Sequence, residues 1–89
     1  MPLIAERLAT VEDWITTYMA DLLDVPTAQV DLNRPFDQYG LDSAATVAFA
    51  SDLGRWLGTK LDTKIMFEHD TIRAVTDHLR LALGKMAPA

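Results

Sequence analysis

The sequence predicts an all-α fold: a small four-helix bundle with three main helices, one short third helix, and a long loop between helices one and two. Three observations carry this. Apolar residues recur at helical spacing in separate segments. No segment alternates as a strand does, and no hairpin dipeptide occurs. The chain has 89 residues, 49% of them hydrophobic, which suffices for one compact core and no more.

The first helix is read from Val11, Trp14, Ile15, Tyr18, Met19 and Leu22, an apolar stripe separated by Glu12, Asp13, Thr16, Thr17 and Asp21. Thr10 and Asp13 have the spacing of a capping box and mark its start. Residues 1–9 are then an N-terminal arm or an extension of this helix. Val25-Pro26 ends the helix, because proline disfavours helical geometry in the residue before it. Residues 24–41 form the long loop, in which Val30, Leu32 and Phe36 are the expected anchors to the core.

The second helix is expected over 43–57, with Asp42 as N-cap and Gly58 as its stop. Its apolar side reads Val47, Phe49, Ala50, Leu53, Trp56 and Leu57. Ile65-Met66-Phe67 forms a single helical turn. The last helix starts near Asp70-Thr71, with Asp70 as N-cap, carries Ile72, Val75, Leu79 and Leu83 on one face, and ends at Gly84. The domain therefore spans 10–84, and 85–89 form a C-terminal tail. Met1 and the overall length suggest a free-standing protein.

Composition removes several function classes. There is no cysteine, so any thiol chemistry must be supplied by an added group. The net charge of −5 lacks the basic footprint of a nucleic-acid binder. No apolar run approaches a membrane span, and the N-terminus lacks a signal-peptide pattern. The expectation is a soluble, cytoplasmic monomer that contacts neither nucleic acid nor membrane. Charge is uneven: residues 1–52 hold nine acids and two bases, whereas 53–89 hold four acids and six bases. Such a dipolar surface can orient an encounter with a charged partner.

The chemistry-bearing segment is Gly40-Leu41-Asp42-Ser43. It places a hydroxyl in the first turn of a helix, where free N–H groups and the positive end of the dipole favour a phosphate. Gly40 allows a sharp turn and Leu41 can pin the loop. No base is signalled for Ser43, since His69 and His78 lie in unrelated contexts, so the serine reads as an anchor and not as a nucleophile. By itself, Asp-Ser before a helix is only a good cap.

Its surroundings say more. Gly-Leu-Asp-Ser resembles the attachment motif of acyl carrier proteins. Pro35-Phe36-Asp37-Gln38-Tyr39 before it, Leu53-Gly54-Arg55-Trp56-Leu57-Gly58 after it, and the stretch from Leu61 to Ile72 resemble the family at matching distances. The resemblance implies a 4'-phosphopantetheine arm, donated by coenzyme A through a phosphopantetheinyl transferase and attached to Ser43. It also implies a carrier that is not itself an enzyme but holds acyl groups for an acyl-loading enzyme and a ketosynthase or other synthase domain. Asp42 before the serine is more similar to acyl than to peptidyl carriers. The run from Ala44 to Leu53 resembles polyketide synthase carriers, including those loaded by fatty-acyl-AMP ligases; an acyltransferase is the other loading route.

Two departures stand out. Helical spacing from Ser43 gives Ala44, Ala48, Ser51 and Arg55 as the stripe where the family carries glutamates, and Val47 is counted with them as partner-facing surface. Asp52 is the one acid between Ser43 and Gly58. Contacts through small apolar residues, with weak salt dependence, are therefore expected. Asp62 and Asp70 stand where the family has prolines, and both suit helix starts. Trp14, Tyr18, Trp56, Met19 and Met66 are read as core, and shelter for an acyl chain is expected near Val47, Ile65 and Met66. His69 and His78 lack the partners for a metal site. The alternatives are a cofactor-free helical interaction module, a peptidyl or aryl carrier of a non-ribosomal peptide pathway, and a small hydrolase or lipid-binding enzyme using Ser43, for which the strand-turn-helix elbow is lacking.

Overall fold

A computed structural model describes residues 4–84, so residues 1–3 and the tail at 85–89 lie outside the described residues. Its elements are α1 (Ile4–Leu23), two 3₁₀ turns (Thr27–Gln29 and Phe36–Tyr39), α2 (Ser43–Leu57), α3 (Lys64–Glu68) and α4 (Ile72–Gly84). No strand occurs among the described residues. This is the expected bundle of three substantial helices and one short one.

α1 takes the extension that the sequence allows before Thr10. The run Ala5-Glu6-Arg7-Leu8-Ala9 is made of strong helix formers and continues the helix back to Ile4. Thr10 is consequently mid-helix, its hydroxyl donating to the Arg7 carbonyl at 3.3 Å, and no capping box forms. The other end falls where the loop was expected to begin, but through a different device. α1 stops at Leu23 because Asp24 turns left-handed (φ 56°), with Val25 N–H bonded back to the Ala20 carbonyl at 3.0 Å. Pro26 opens the following 3₁₀ turn and does not end the helix.

The core combines Val11, Ile15 and Met19 of α1, Phe49 and Leu53 of α2, Met66 of α3, and Ile72, Val75 and Leu79 of α4. Each such side chain, once buried, contributes roughly 1.5–3 kcal/mol against the entropy of ordering the chain. Val30 and Phe36 are buried and Leu32 packs beside them, so the loop anchors are those read from the sequence. The loop is also tied to the start of α4. Phe36 N–H donates to the Asp70 carbonyl at 2.7 Å, and Arg73 N–H donates to the Leu32 carbonyl at 3.0 Å.

An aromatic file joins α1 to α2. Trp56 stacks on Trp14, Trp14 on Tyr18, and Tyr18 on Phe49, with centroid separations of 5.1–5.2 Å. Phe36 meets Phe49 edge-on at 5.5 Å. Tyr18 also donates its hydroxyl to Asp52 at 2.9 Å. Burial first, then this bond and the carboxylate charge, push the phenol up to about 12.

Val47, placed on the apolar side of α2 by its spacing, is 49% exposed and outside the core, as is Leu22 of α1 at 50%. α4 is capped by Thr71, whose hydroxyl accepts the Ala74 N–H at 3.0 Å, and not by Asp70. Asp62 does serve the start of α3, accepting the Lys64 N–H at 3.0 Å.

Candidate cofactor-attachment site

The approach to α2 is shaped residue by residue. The 3₁₀ turn Phe36–Tyr39 buries Phe36 and closes on Gly40, whose φ of 80° is the left-handed conformation that favours glycine. Leu41 packs against the core. Asp42 is extended and caps the helix: its carboxylate accepts the Ala45 N–H at 2.8 Å, and its carbonyl accepts the Thr46 N–H at 3.0 Å and hydroxyl at 2.9 Å. Ser43 follows as the first helical residue and is exposed.

Asp42 thus satisfies the Ala45 amide and leaves the amides of Ser43 and Ala44 in the first turn, where no preceding carbonyl accepts them. With the positive end of a 15-residue helix beneath it, the Ser43 hydroxyl stands where a phosphate is favoured. His69 and His78 stack on each other with centroids 4.3 Å apart, and no group of three or more metal-ligating side chains occurs among the described residues. The arrangement presents an anchored, accessible hydroxyl at a helix start.

A cleft of about 420 Å³ opens beside this serine, lined by Phe36, Leu41, Thr46, Met66 and Phe67, with Asp37, Asp42, Ser43 and Asp70 at its edge. Of the residues read from the sequence as shelter for a chain, Met66 lines it. Ile65 and Val47 do not, because α3 turns Ile65 towards the core and Val47 projects outward from α2. Phe67, which the sequence reading missed, is 62% exposed beside the cleft. Its signal was adjacency: in a single helical turn that buries Met66, the next residue must face elsewhere. A phosphate ester and an extended arm on Ser43 fit this geometry, the helix start receiving the anion and the cleft flanking the arm.

Ala44, Val47, Ala48, Ser51 and Arg55 are all exposed and share the outer side of α2. Asp52, in contrast, is partly buried and engaged by Tyr18. The helix therefore shows small side chains and one arginine where acids were absent from the sequence.

Residues 13–79 match the family model described as the phosphopantetheine attachment site. The chain belongs to this carrier family. Its cofactor is 4'-phosphopantetheine, and a carrier of this kind is a substrate of enzymes and not a catalyst. The acyl carrier protein TtuC of Teredinibacter turnerae is 33% identical over 69 residues, covering 78% of this chain and 79% of the relative. The spectinabilin polyketide synthase system protein NorB of Streptomyces orinoci is 38% identical over 87 residues, 94% of this chain but 4% of that much longer protein. A solution structure of an acyl carrier protein from Anabaena, described as having a variant phosphopantetheinylation-site sequence, superposes with a TM-score of 0.76 at 28% identity, over 81% of this chain and 82% of the other.

Proposed function

We propose that Ser43 is the attachment serine and that the protein carries acyl intermediates for polyketide-type biosynthesis in the cytoplasm, with residues 10–84 as the carrier unit. The observation that carries this reading is the exposed Ser43 hydroxyl at the capped start of α2, inside the stretch that matches the family and beside the cleft. The likeness to an acyl carrier protein and to a polyketide synthase system protein supports the pathway class. Asp42 before the serine favours acyl over peptidyl cargo.

In the attachment step Ser43 Oγ bonds to the phosphate of coenzyme A as the pyrophosphate bond breaks. Adenosine bisphosphate leaves, and the hydroxyl proton passes to the phosphopantetheinyl transferase. The arm, once bound, supplies a thiol that holds acyl groups as thioesters. The chain's own work is to fix the ester at a rigid helix start and to present the α2 face. Holding a substrate on a tether raises its effective concentration at each partner. The partners are the transferase, an acyl-loading enzyme (an acyltransferase or a fatty-acyl-AMP ligase) and a ketosynthase or other synthase domain. They meet Ala44, Val47, Ala48, Ser51 and Arg55.

Intact mass after incubation with coenzyme A and a broad-specificity transferase tests the proposal. One phosphopantetheine per chain is expected, and none on Ser43→Ala. A screen of the resulting holo protein against acyl donors and adenylating ligases then separates the loading routes; loading from acyl-coenzyme A alone would remove the ligase.

A further inference from the structure

We propose that the stacked pair His69 and His78 is a proton-sensitive latch: it holds the C-terminal end of α3 on α4 at neutral pH and releases it in mild acid. The inference concerns the bundle itself and does not depend on the reading of Ser43. α3 has five residues, and Met66 is its one buried side chain. A helix that short is not stable by its own hydrogen bonds, so its position is set by what it leans on. Its end leans on α4 through His69, the residue that caps α3, whose backbone N–H donates to the Ile65 carbonyl at 2.9 Å. The His69 ring lies against that of His78 on α4, with centroids 4.3 Å apart and planes 22° from parallel. Both residues are half-buried, so solvent screens the pair only in part.

The two rings are held through their faces. Neither imidazole makes a hydrogen bond or an ion pair among the described residues. Glu68 and Asp70 flank His69 in sequence, Asp77 precedes His78, and Asp62 opens α3, yet none of these carboxylates is an ion-pair partner of either ring. Asp52 of α2 is already engaged by Tyr18, and Glu12 of α1, the helix packed along α4, forms no ion pair with the histidines. Lys64 and Arg80 add positive charge to the same two helices. One proton on the pair is tolerated, since a cation over a neutral aromatic face is attractive. A second sets two like charges face to face with no counter-ion to offset them, and the repulsion is relieved when the rings part. Imidazole ordinarily changes its charge between about pH 5 and 8. The latch is therefore closed above that range and opens as pH falls through it. Met66 and Phe67 of α3 line the cleft beside Ser43, so opening displaces one wall of that cleft. The packing of α1 on α2 and α4 stays in place.

The test follows the full chain by NMR between about pH 7.5 and about pH 5, a window in which most carboxylates stay ionised. Heteronuclear NOE values, which report nanosecond mobility, are read for the amides of Met66, Phe67 and His69, with those of Phe49 and Leu53 in α2 as the internal reference. In the unsubstituted protein the α3 values are expected to match those of α2 at the upper pH and to fall to about half or less at the lower. His78→Phe keeps a ring face for His69 and removes one of the two charges, so α3 is expected to remain rigid at both. His69→Gln removes the stack, so α3 is expected to be loose at both. An α3 that stays at the α2 level throughout in the unsubstituted protein would overturn the latch. A loss at low pH that persists in His78→Phe would also overturn it, because other groups would then be responsible. Should His78→Phe fail to fold, His69→Gln decides: an α3 as rigid at neutral pH as in the unsubstituted protein would show that the stack holds nothing.

Discussion

At the residue scale, Asp42 and Ser43 show how completely a local pattern can be read. Asp-Ser before an apolar-periodic segment predicts a cap and a first-turn hydroxyl, and the Asp42 carboxylate accepts the Ala45 amide as that pattern requires. Tyr18 was legible only as an apolar-face aromatic; its bond to Asp52 joins residues 34 positions apart and has no local signal. That bond carries a pH prediction. The phenol titrates near 12 in the folded protein against an ordinary 10.0, so its contribution to stability is complete below about pH 10 and is lost as pH rises through 12. Thermal melts from pH 9 to 12 should fall more steeply for the unsubstituted protein than for Tyr18→Phe; parallel curves would contradict the coupling. Thr76 gives a second prediction. It is fully buried and its hydroxyl has no partner among the described residues. Leaving such a group unsatisfied costs about 1–3 kcal/mol. Thr76→Val should therefore raise the melting temperature, by roughly 4–8 °C per kcal/mol recovered, and a lowered value would show that the hydroxyl is satisfied in solution.

At the scale of elements, the helices were legible where capping residues and apolar period agreed. α2 begins and ends where Asp42 and Gly58 indicate, Gly58 adopting φ 78° with the Thr59 N–H bonded to the Gly54 carbonyl at 3.0 Å. That close return also explains Gly54: a Cβ there would meet the Thr59 carbonyl oxygen at 2.7 Å. α1 takes the extension before Thr10 that the sequence allowed and ends at Leu23, where the 24–41 loop begins; only the devices at its ends differ, because a Thr-x-x-Asp pattern inside a helix mimics a cap and a left-handed aspartate has no strong sequence signature. Val47 was counted on the apolar side of α2 because spacing alone gives an angle and not the neighbour that fills it. Its exposure beside Ala44, Ala48 and Ser51 makes the outer face of α2 mildly apolar. Ala48→Glu, which keeps helix propensity nearly unchanged, should lower loading by partner enzymes while leaving the melting temperature within about 0.5 kcal/mol-equivalent of the original. Undiminished loading by every partner would place the docking surface elsewhere.

At the scale of the molecule, the bundle is held by one core to which all four helices contribute, and the long first loop is sewn onto α4 through Phe36, Leu32 and Arg73. The order of helices, the anchors of the loop and the place of Ser43 could be read from the chain. The cleft was legible only at Met66, since its other walls, Phe36, Thr46 and Phe67, come from three separated segments. Among the described residues no helix is long and apolar enough to cross a membrane. The acidic bias of residues 1–52 and the basic bias of 53–89 give the molecule a polarity that can orient encounters, with the serine on the acidic part. The central claim is that this bundle exists to present one hydroxyl. The chain has only two serines, Ser43 in the first turn of α2 and Ser51 further along the same helix. The direct measurement is fragment-resolved mass spectrometry of the peptide 35–55 after treatment with coenzyme A and transferase. The account predicts phosphopantetheine on Ser43 alone; an unmodified peptide, or modification at Ser51, would contradict it.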